Sequence, residues 1–369
     1  MTGLYIHIPF CRQKCFYCDF FSQKYDTDLA DKYIDTLIKH AKQFENEEIN
    51  SIYIGGGTPS VLSSNQMQEL LQSLNNAFNL SEVKEFTFEL NPESVSKKKL
   101  LILKEFGVNR LSMGLQSVED KTLKYLGRIH DFKTFCAAYD TARNEGFDNI
   151  SLDLIYGLPN QTVDDWESVL KKALLFNSEQ LSLYPLSIEK NTPFYENGIV
   201  TDDKLQRALY EKTVEVLEHS EYVHYEVSNW AKKCKEAFHN TNYWRNLEYI
   251  GLGAGAAGYL ERRRYKNVED IEKYIELCSL LQSTNRRSNL SFLNIEDEYI
   301  DNNLYKTETI MLGLRLLNEG IDINCFNNPK HHTILLECLK NKTLQEQTGK
   351  IKIAKEYVFI SNQIISKFM

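Results

Sequence analysis

Through the first half of the chain, short runs of β-branched and aromatic residues alternate with segments whose apolar residues return at helical spacing. The runs are Leu4–Ile8, Ser51–Ile54, Glu85–Leu90, Arg110–Leu115, Ile150–Tyr156 and Gln180–Leu186. Helical spacing between them is carried by Tyr33, Leu37 and Ile38; by Met67, Leu70, Leu71 and Leu74; by Leu100, Leu101 and Leu103; by Phe135, Ala138, Tyr139 and Ala142; and by Trp166, Val169, Leu170 and Leu174. Thr27, Ser63, Ser96 and Thr162 stand ahead of acidic or amide residues and predict helix starts. Six consecutive strand–helix units predict an α/β fold whose parallel sheet is closed, or nearly closed, into a barrel. Such folds collect ligands at the carboxyl ends of their strands. The polar motifs fall where those ends are expected.

After Ser187 the rhythm breaks. A helix is expected from about Leu205 to Glu218, followed by "YVHYEVSNWA", a loop holding "HNTNYW" (His239 to Trp244) and the run "GLGAGAAG" (Gly251 to Gly258). Asn267–Asn303 reads as polar and helical. From Tyr305 a separate small unit is expected, with a helix over Glu308–Leu317, a turn at Glu319 and Gly320, further helix, and "KIKIAKEYVFIS" before a last helix. Two strand-like runs after short helices suggest a winged-helix-like module covering the barrel mouth. The divisions expected are a core over 1–230, a linker region over 231–300 and a C-terminal unit over 301–369. "GLGAGAAG" imitates a dinucleotide fingerprint but opens no βαβ unit, so it reads as close backbone packing. Arg262–Arg264 and the pair His331, His332 read as surface features.

At 369 residues with a net charge of -8, the chain is ill suited to a broad nucleic-acid surface. No apolar run is long enough to span a bilayer, and His7 and Pro9 interrupt what would be a leader. A cytoplasmic protein is expected, with peripheral membrane association left open.

Of the eight cysteines, Cys136, Cys234, Cys278, Cys325 and Cys338 are scattered, whereas Cys11, Cys15 and Cys18 form C-x3-C-x2-C after the first strand. In a reducing compartment such a group more often binds metal than forms bridges. Three thiolates on a cube-shaped [4Fe-4S] cluster would leave one iron open to another ligand. A zinc knuckle completed by a distant His or Cys is the alternative; Arg12, Gln13 and Lys14 in the loop argue against a set of purely buried thiols.

This loop resembles that of the radical S-adenosylmethionine (SAM) superfamily. The resemblance implies a partial (β/α)6 barrel in which the open iron chelates SAM, whose cleavage can yield a 5′-deoxyadenosyl radical. It also implies SAM contacts at successive strand ends. In "GGGTP", Gly56, Gly57 and Thr58 let backbone groups approach the methionine ammonium; a tight turn is the plainer reading. Glu89, Gln116 and Asp153 suit ribose hydroxyls or an ammonium group. Arg128 in "LGRIH" can fork onto a carboxylate. Tyr5 and Tyr17, flanking the cluster loop, are further SAM-site residues by resemblance. Singly, each is explained as a capping or solvated residue; together they converge.

"YIHIPFC", "GGGTPS", "LQS", "LGRIH", "DLIYGLPNQT" and "MLGLRL" resemble the coproporphyrinogen-oxidase-like group. Its oxygen-independent coproporphyrinogen III dehydrogenases carry a fourth cysteine where this chain has Phe20. Its HemW-type haem chaperones carry three cysteines and H-N-x-x-Y-W, complete here as His239 to Trp244. That resemblance implies haem bound through His239, with Tyr243 and Trp244 lining a porphyrin edge, and its delivery to an acceptor apo-haemoprotein such as one of a respiratory chain. A buried, internally satisfied histidine among core aromatics is the competing reading. Cys234, where relatives often have glycine, and Phe238, where a basic residue is more usual, depart from the pattern. The rival functions are coproporphyrinogen III oxidation, which Phe20 argues against, radical modification of another substrate, and a zinc-dependent binding module. A monomer or a cluster-dependent homodimer fits either haem-related reading.

Overall fold

The computed structural model describes residues 2–45, 47–281 and 291–369. Six strands follow the expected rhythm: β1 (Thr2–Ile8), β2 (Ile49–Gly56), β3 (Glu85–Leu90), β4 (Arg110–Gln116), β5 (Ile150–Tyr156) and β6 (Gln180–Pro185). Their helices are α1 (Thr27–Ala41), α2 (Ser64–Ala77), α3 (Lys97–Glu105), α4 (Phe132–Asn144) and α5 (Val163–Leu174). Ser63, Ser96 and Thr162 cap their helices as expected, and Ser63 and Thr162 form full capping boxes with Gln66 and Asp165. At α1 the cap is Asp26, one residue before Thr27, whose carboxylate accepts from Leu29 N at 2.9 Å.

The rest of the chain extends this sheet. Helix α6 (Asp203–Glu218) leads into β7 (Tyr222–Glu226) and β8 (Asn229–Lys232), then α7 (Phe238–Trp244), β9 (Tyr249–Leu252), β10 (Ala257–Leu260), β11 (Arg263–Asn267), α8 (Ile271–Ser279) and β12 (Asn294–Tyr299). One twelve-stranded sheet results, in the order β12-β11-β10-β9-β1-β2-β3-β4-β5-β6-β8-β7. Its edges, β12 and β7, do not pair with each other among the described residues, so the barrel is partial.

Two strands depart from expectation. β9 lies parallel to β1, with Gly3 opposite Tyr249 and Ile6 opposite Leu252, and adds a seventh parallel strand where a loop was expected. Gly251 permits the tight β9–β10 return that follows: a Cβ there would collide with Ala257 O. β12 forms inside Asn267–Asn303, expected to be helical; residues 282–290 of that stretch lie outside the described residues. Its acidic residues pair with β11, Asp297 with Arg263 at 2.7 Å and Glu298 with Arg264 at 3.8 Å. Arg264 also reaches Glu308 at 2.7 Å, and Arg262 stacks on Tyr305 at 3.6 Å, so this run joins elements and is not idle surface. His331 is buried against Phe368, whereas His332 is exposed as expected.

The C-terminal elements are α9 (Asn302–Gly313), β13 (Ile321–Asp322), α10 (Pro329–Lys340), the hairpin β14 (Leu344–Gln347) and β15 (Lys350–Ile353), and α11 (Ser361–Ile365). β15 lies between β13 and β14 in a small antiparallel sheet. This unit packs on the barrel's base, the amino ends of the strands. Asn246 Nδ2 donates to Thr309 Oγ1 at 3.1 Å, Arg245 Nε to Glu319 at 3.0 Å, and Arg315 lies over Trp244 at 4.2 Å. The mouth is not covered by it, because none of residues 301–369 lines the cavity there. Among the described residues no helix is long and apolar enough to cross a membrane.

The β9–β1 seam is tied by one hydroxyl. Tyr33 OH donates to His7 O and accepts from Ala254 N, each at 2.9 Å, joining α1 to β1 and to the bend after β9. Tyr33→Phe strands a buried N–H and a buried carbonyl. It should cost about 1–3 kcal/mol in urea unfolding, with little change in slope.

Candidate functional site

β1 delivers the cysteine loop to the mouth, and a narrow neck holds it there. Phe10–Cys11 pairs in parallel with Gln23–Lys24, and Tyr25 N donates to Cys11 O at 2.8 Å. Below the neck, His7 Nε2 lies 2.8 Å from Phe21 O. The end of β2 grips the same segment: Gly57 N donates to Ile8 O at 2.9 Å and Thr58 N to Phe10 O at 2.8 Å. A Cβ on Gly57 would stand 2.8 Å from Phe10 O and 3.1 Å from Cys11 Sγ, while Gly56 adopts φ 112°, a region that favours glycine. The glycines of "GGGTP" thus serve first the close approach of the cysteine loop. On its far side the loop hangs from the segment before Arg128, through Gln13 Nε2 to Gly127 O at 3.0 Å and Phe16 N to Leu126 O at 3.1 Å.

Inside lies a cavity of about 430 Å³ running from Cys11, Cys15, Cys18 and Phe20 at the mouth to Arg110, Gln180 and Asn240 at the floor. Of the expected SAM-site residues, Tyr17, Gly56, Gly57, Thr58, Glu89, Gln116, Arg128 and Asp153 line it. Tyr5 does not; its hydroxyl pairs with His7 Nδ1 at 2.8 Å. Arg128 Nη1 lies 3.5 Å from Cys15 Sγ, and Nη2 donates to Asn91 Oδ1 at 2.8 Å. Burial opposes the charge on Arg128, but Cys15, Tyr17 and Glu93 more than offset it and raise its pKa. Gln116 is held at φ 62°, where the β4–β5 register shifts, a strained conformation costing of order 1–3 kcal/mol.

Burial pushes the Glu89 pKa up to about 7, against the Tyr53 hydroxyl that donates to it at 2.6 Å. Asp153 is pushed up to about 6, again by burial, with Ser182, Arg110 and Ser112 opposing. Near neutrality the cavity therefore offers both donors and acceptors on its carboxyl groups. Burial also raises the Cys11 thiol, and Cys18 is pushed up to about 11, so metal uptake would release protons.

Several lining residues escaped the motif reading: Tyr53, Asn91, Arg110, Ser112, Gln180, Ser182, Tyr184 and Asn240. A signal for half of them was present. Polar residues recur two apart in otherwise apolar strands, as Glu85, Thr87 and Glu89, Arg110 and Ser112, Ser151 and Asp153, and Gln180 and Ser182. Period two places each set on one face, here the barrel interior.

The "HNTNYW" segment forms α7, which plugs the base. Glu85 accepts from the backbone N–H groups of Phe238 at 2.7 Å and His239 at 3.2 Å. His239 is 1% exposed; its Nδ1 lies 2.9 Å from Ser51 Oγ and its Nε2 2.7 Å from Tyr243 OH. Burial, with Arg110 nearby, lowers its pKa to about 3, leaving a neutral imidazole. Both imidazole nitrogens thus face hydroxyls, the arrangement of a buried, internally satisfied histidine. Tyr243 packs edge-on to Tyr249 at 4.5 Å and Trp244 lies under Arg315; Asn240 is the motif residue that lines the cavity. Cys234 sits exposed at φ 63°, a backbone geometry that favours glycine.

The radical SAM superfamily model matches residues 5–173. The heme chaperone HemW of Lactococcus lactis subsp. lactis is 34% identical over 381 residues, covering 100% of this chain and 97% of the relative. The chain belongs to the HemW family of the radical SAM superfamily. Heme chaperone HemW of Bacillus subtilis (strain 168) is 39% identical over 289 residues, 76% of this chain and 76% of the relative. The solved structure of coproporphyrinogen III oxidase (HemN) from Escherichia coli shares the fold, with 21% identity, a TM-score of 0.83, and coverage of 100% of this chain and 89% of the other.

Membership of the radical SAM superfamily implies a [4Fe-4S] cluster and SAM, and the donor set here fits them. Among the described residues no three His, Cys, Asp or Glu side chains converge as for a single ion. The thiols of Cys11, Cys15 and Cys18 line one cavity instead, all unbridged. A cube takes one thiolate per iron, so its ligands surround a space and need not meet at a point. Gly57→Ala should displace Phe10 and Cys11 and lower the iron bound after reconstitution; iron content equal to wild type would refute the packing argument. Because folding raises the Glu89 pKa from 4.5 to about 7, wild-type stability falls as pH rises through that window. Glu89→Gln should therefore raise the melting temperature of metal-free protein most above pH 7, with the gain shrinking toward pH 5.

Proposed function

We propose that this chain binds haem and delivers it to an acceptor apo-haemoprotein in the cytoplasm, on a scaffold holding a [4Fe-4S] cluster and SAM. The observation that supports this most is the relationship to the Lactococcus heme chaperone along essentially the full length of both chains. Cys11, Cys15 and Cys18 would hold the cluster. Arg128 would take the SAM carboxylate, Gly56, Gly57 and Thr58 would offer backbone groups to its ammonium, and Glu89, Gln116 and Asp153 would face its hydroxyls. Cluster and SAM together supply one-electron chemistry when bound. Phe20 stands 63% exposed at the mouth, in the place where the resembling dehydrogenases carry a further thiol. A haem contact through His239, Tyr243 and Trp244 would require α7 to leave the base.

Two parallel titrations of anaerobically reconstituted protein test the reading. With haem, a saturable Soret band is expected, which then moves to an added apo-haemoprotein. With coproporphyrinogen III, SAM and reductant, no substrate should be consumed; turnover, or absence of a saturable Soret band, would overthrow the proposal. His239→Ala should melt at lower temperature and keep wild-type haem affinity. Lost affinity with unchanged melting would instead assign the iron to His239.

A further inference from the structure

Beside the cavity, a buried histidine and a half-buried glutamate keep buried polar atoms without close hydrogen-bond partners. The His130 side chain is fully shielded and neither of its ring nitrogens has a partner among the described residues; Glu93 Oε2 has none either. They face each other, with His130 Nδ1 3.5 Å from Glu93 Oε2. Burying two such groups is costly unless they interact. Burial works against the Glu93 charge, yet His130 and Arg128 hold its carboxyl below the ordinary range.

Their positions in the chain explain the contact. Asn91 and Glu93 lie two apart on the turn after β3, and Arg128 and His130 lie two apart on the segment before α4. The first members meet through Arg128 Nη2 and Asn91 Oδ1 at 2.8 Å, the second through His130 and Glu93. The turn that carries the acceptors is stiff. Pro92 opens it, Ser94 Oγ donates to Asn91 O at 2.7 Å, and Ser60 Oγ accepts from Asn91 N at 3.0 Å. Arg128 N also donates to Leu123 O at 2.9 Å and its Nη2 to Gly114 O at 3.3 Å; the His130 contact adds a second side-chain tie to the turn, two residues along. Arg128 is thereby held 3.5 Å from Cys15 Sγ with its remaining face toward the cavity.

We propose that Glu93 and His130 are positioning residues, whose contact locks the segment bearing Arg128 and so presents its guanidinium to Cys15 and to a bound carboxylate. The inference rests on the reading that the cavity holds SAM. The test uses full-length, anaerobically reconstituted protein and three readouts: SAM affinity by equilibrium dialysis, the change SAM causes in the electron paramagnetic resonance spectrum of the reduced cluster, and thermal melting. His130→Ala and Glu93→Gln should each weaken SAM binding about tenfold, a loss of about 1.4 kcal/mol. The double variant should be no weaker than either single one, because the two residues act as one contact. His130→Gln, which restores an N–H toward Glu93, should recover most of the affinity. Glu93→Gln keeps the side-chain shape and carries the test if His130→Ala does not fold. Folded variants with wild-type SAM affinity and an unaltered spectral response, beside a weakened Arg128→Ala, would overturn this inference. Arg128→Ala binding SAM as wild type does would instead overturn the reading of the cavity.

Discussion

Arg110 is a full cation inside the partial barrel, 1% exposed, and much of the far half of the molecule is arranged around it. Its Nη1 donates to Thr87 Oγ1 at 3.2 Å and its Nη2 to Gln180 Oε1 at 2.9 Å. Gln180 in turn donates to Asn229 at 2.8 Å, Asn229 donates to the buried carboxylate of Glu226, and Glu226 takes Arg315 at 3.4 Å. One buried charge thus wires β4 to β6, to the β7–β8 return and to the C-terminal unit. Glu85, whose charge does most to favour the Arg110 cation, also accepts from the first backbone N–H groups of α7. Buried polar groups are costly when unsatisfied, and partnering the two terminal nitrogens of Arg110 recruits elements that close the base, while its Nε has no hydrogen-bond partner among the described residues. Replacing one member strands its neighbour, so the network behaves as a unit.

The mouth is built on the opposite principle. There the backbone approaches closely and few charges are shut in. β1 and β2 end side by side, and glycines let the β2 terminus touch the root of the cysteine loop. The loop then spans the gap to the Gly127 region, which Asn91 and Glu93 pin from β3. The mouth holds thiols, those of Cys11 and Cys18 raised by burial, and the base holds a neutral histidine that is already satisfied.

Much of this was legible beforehand, for identifiable physical reasons. Strands covered on both faces read as continuous apolar runs, which is why β1 to β6 fell where they did. The cysteine spacing and strand-end polar residues are local patterns and survived folding. What escaped was non-local. β9 is only four residues long and runs into glycines, so its pairing with β1, more than 240 positions earlier, leaves no periodic trace. β12 is acidic and exposed, and is held as a strand by the arginines of β11 rather than by apolar alternation. The placement of the C-terminal unit depends on Arg245, Asn246 and Arg315 finding partners across the chain, which spacing does not encode. The interior polar pairs lie between these cases: they obey period two, but become visible only once the strands are known to enclose a space.

The position of α7 bears directly on how a flat macrocycle could be held. Freeing His239 means giving up its two hydroxyl contacts, the two backbone bonds to Glu85, and the bonds that Asn242 makes to Ser51 and Asn50. At about 0.5–1.5 kcal/mol for each neutral hydrogen bond, and more for those to the carboxylate, the opening costs several kcal/mol before any ligand contact forms. A ligand shifts such an equilibrium only by its differential affinity for the open state. The mouth demands no such opening, for Phe20 and Tyr184 are already exposed where the cavity meets solvent. On that energetic ground the motif His239 to Trp244 acts first as the seal of the barrel.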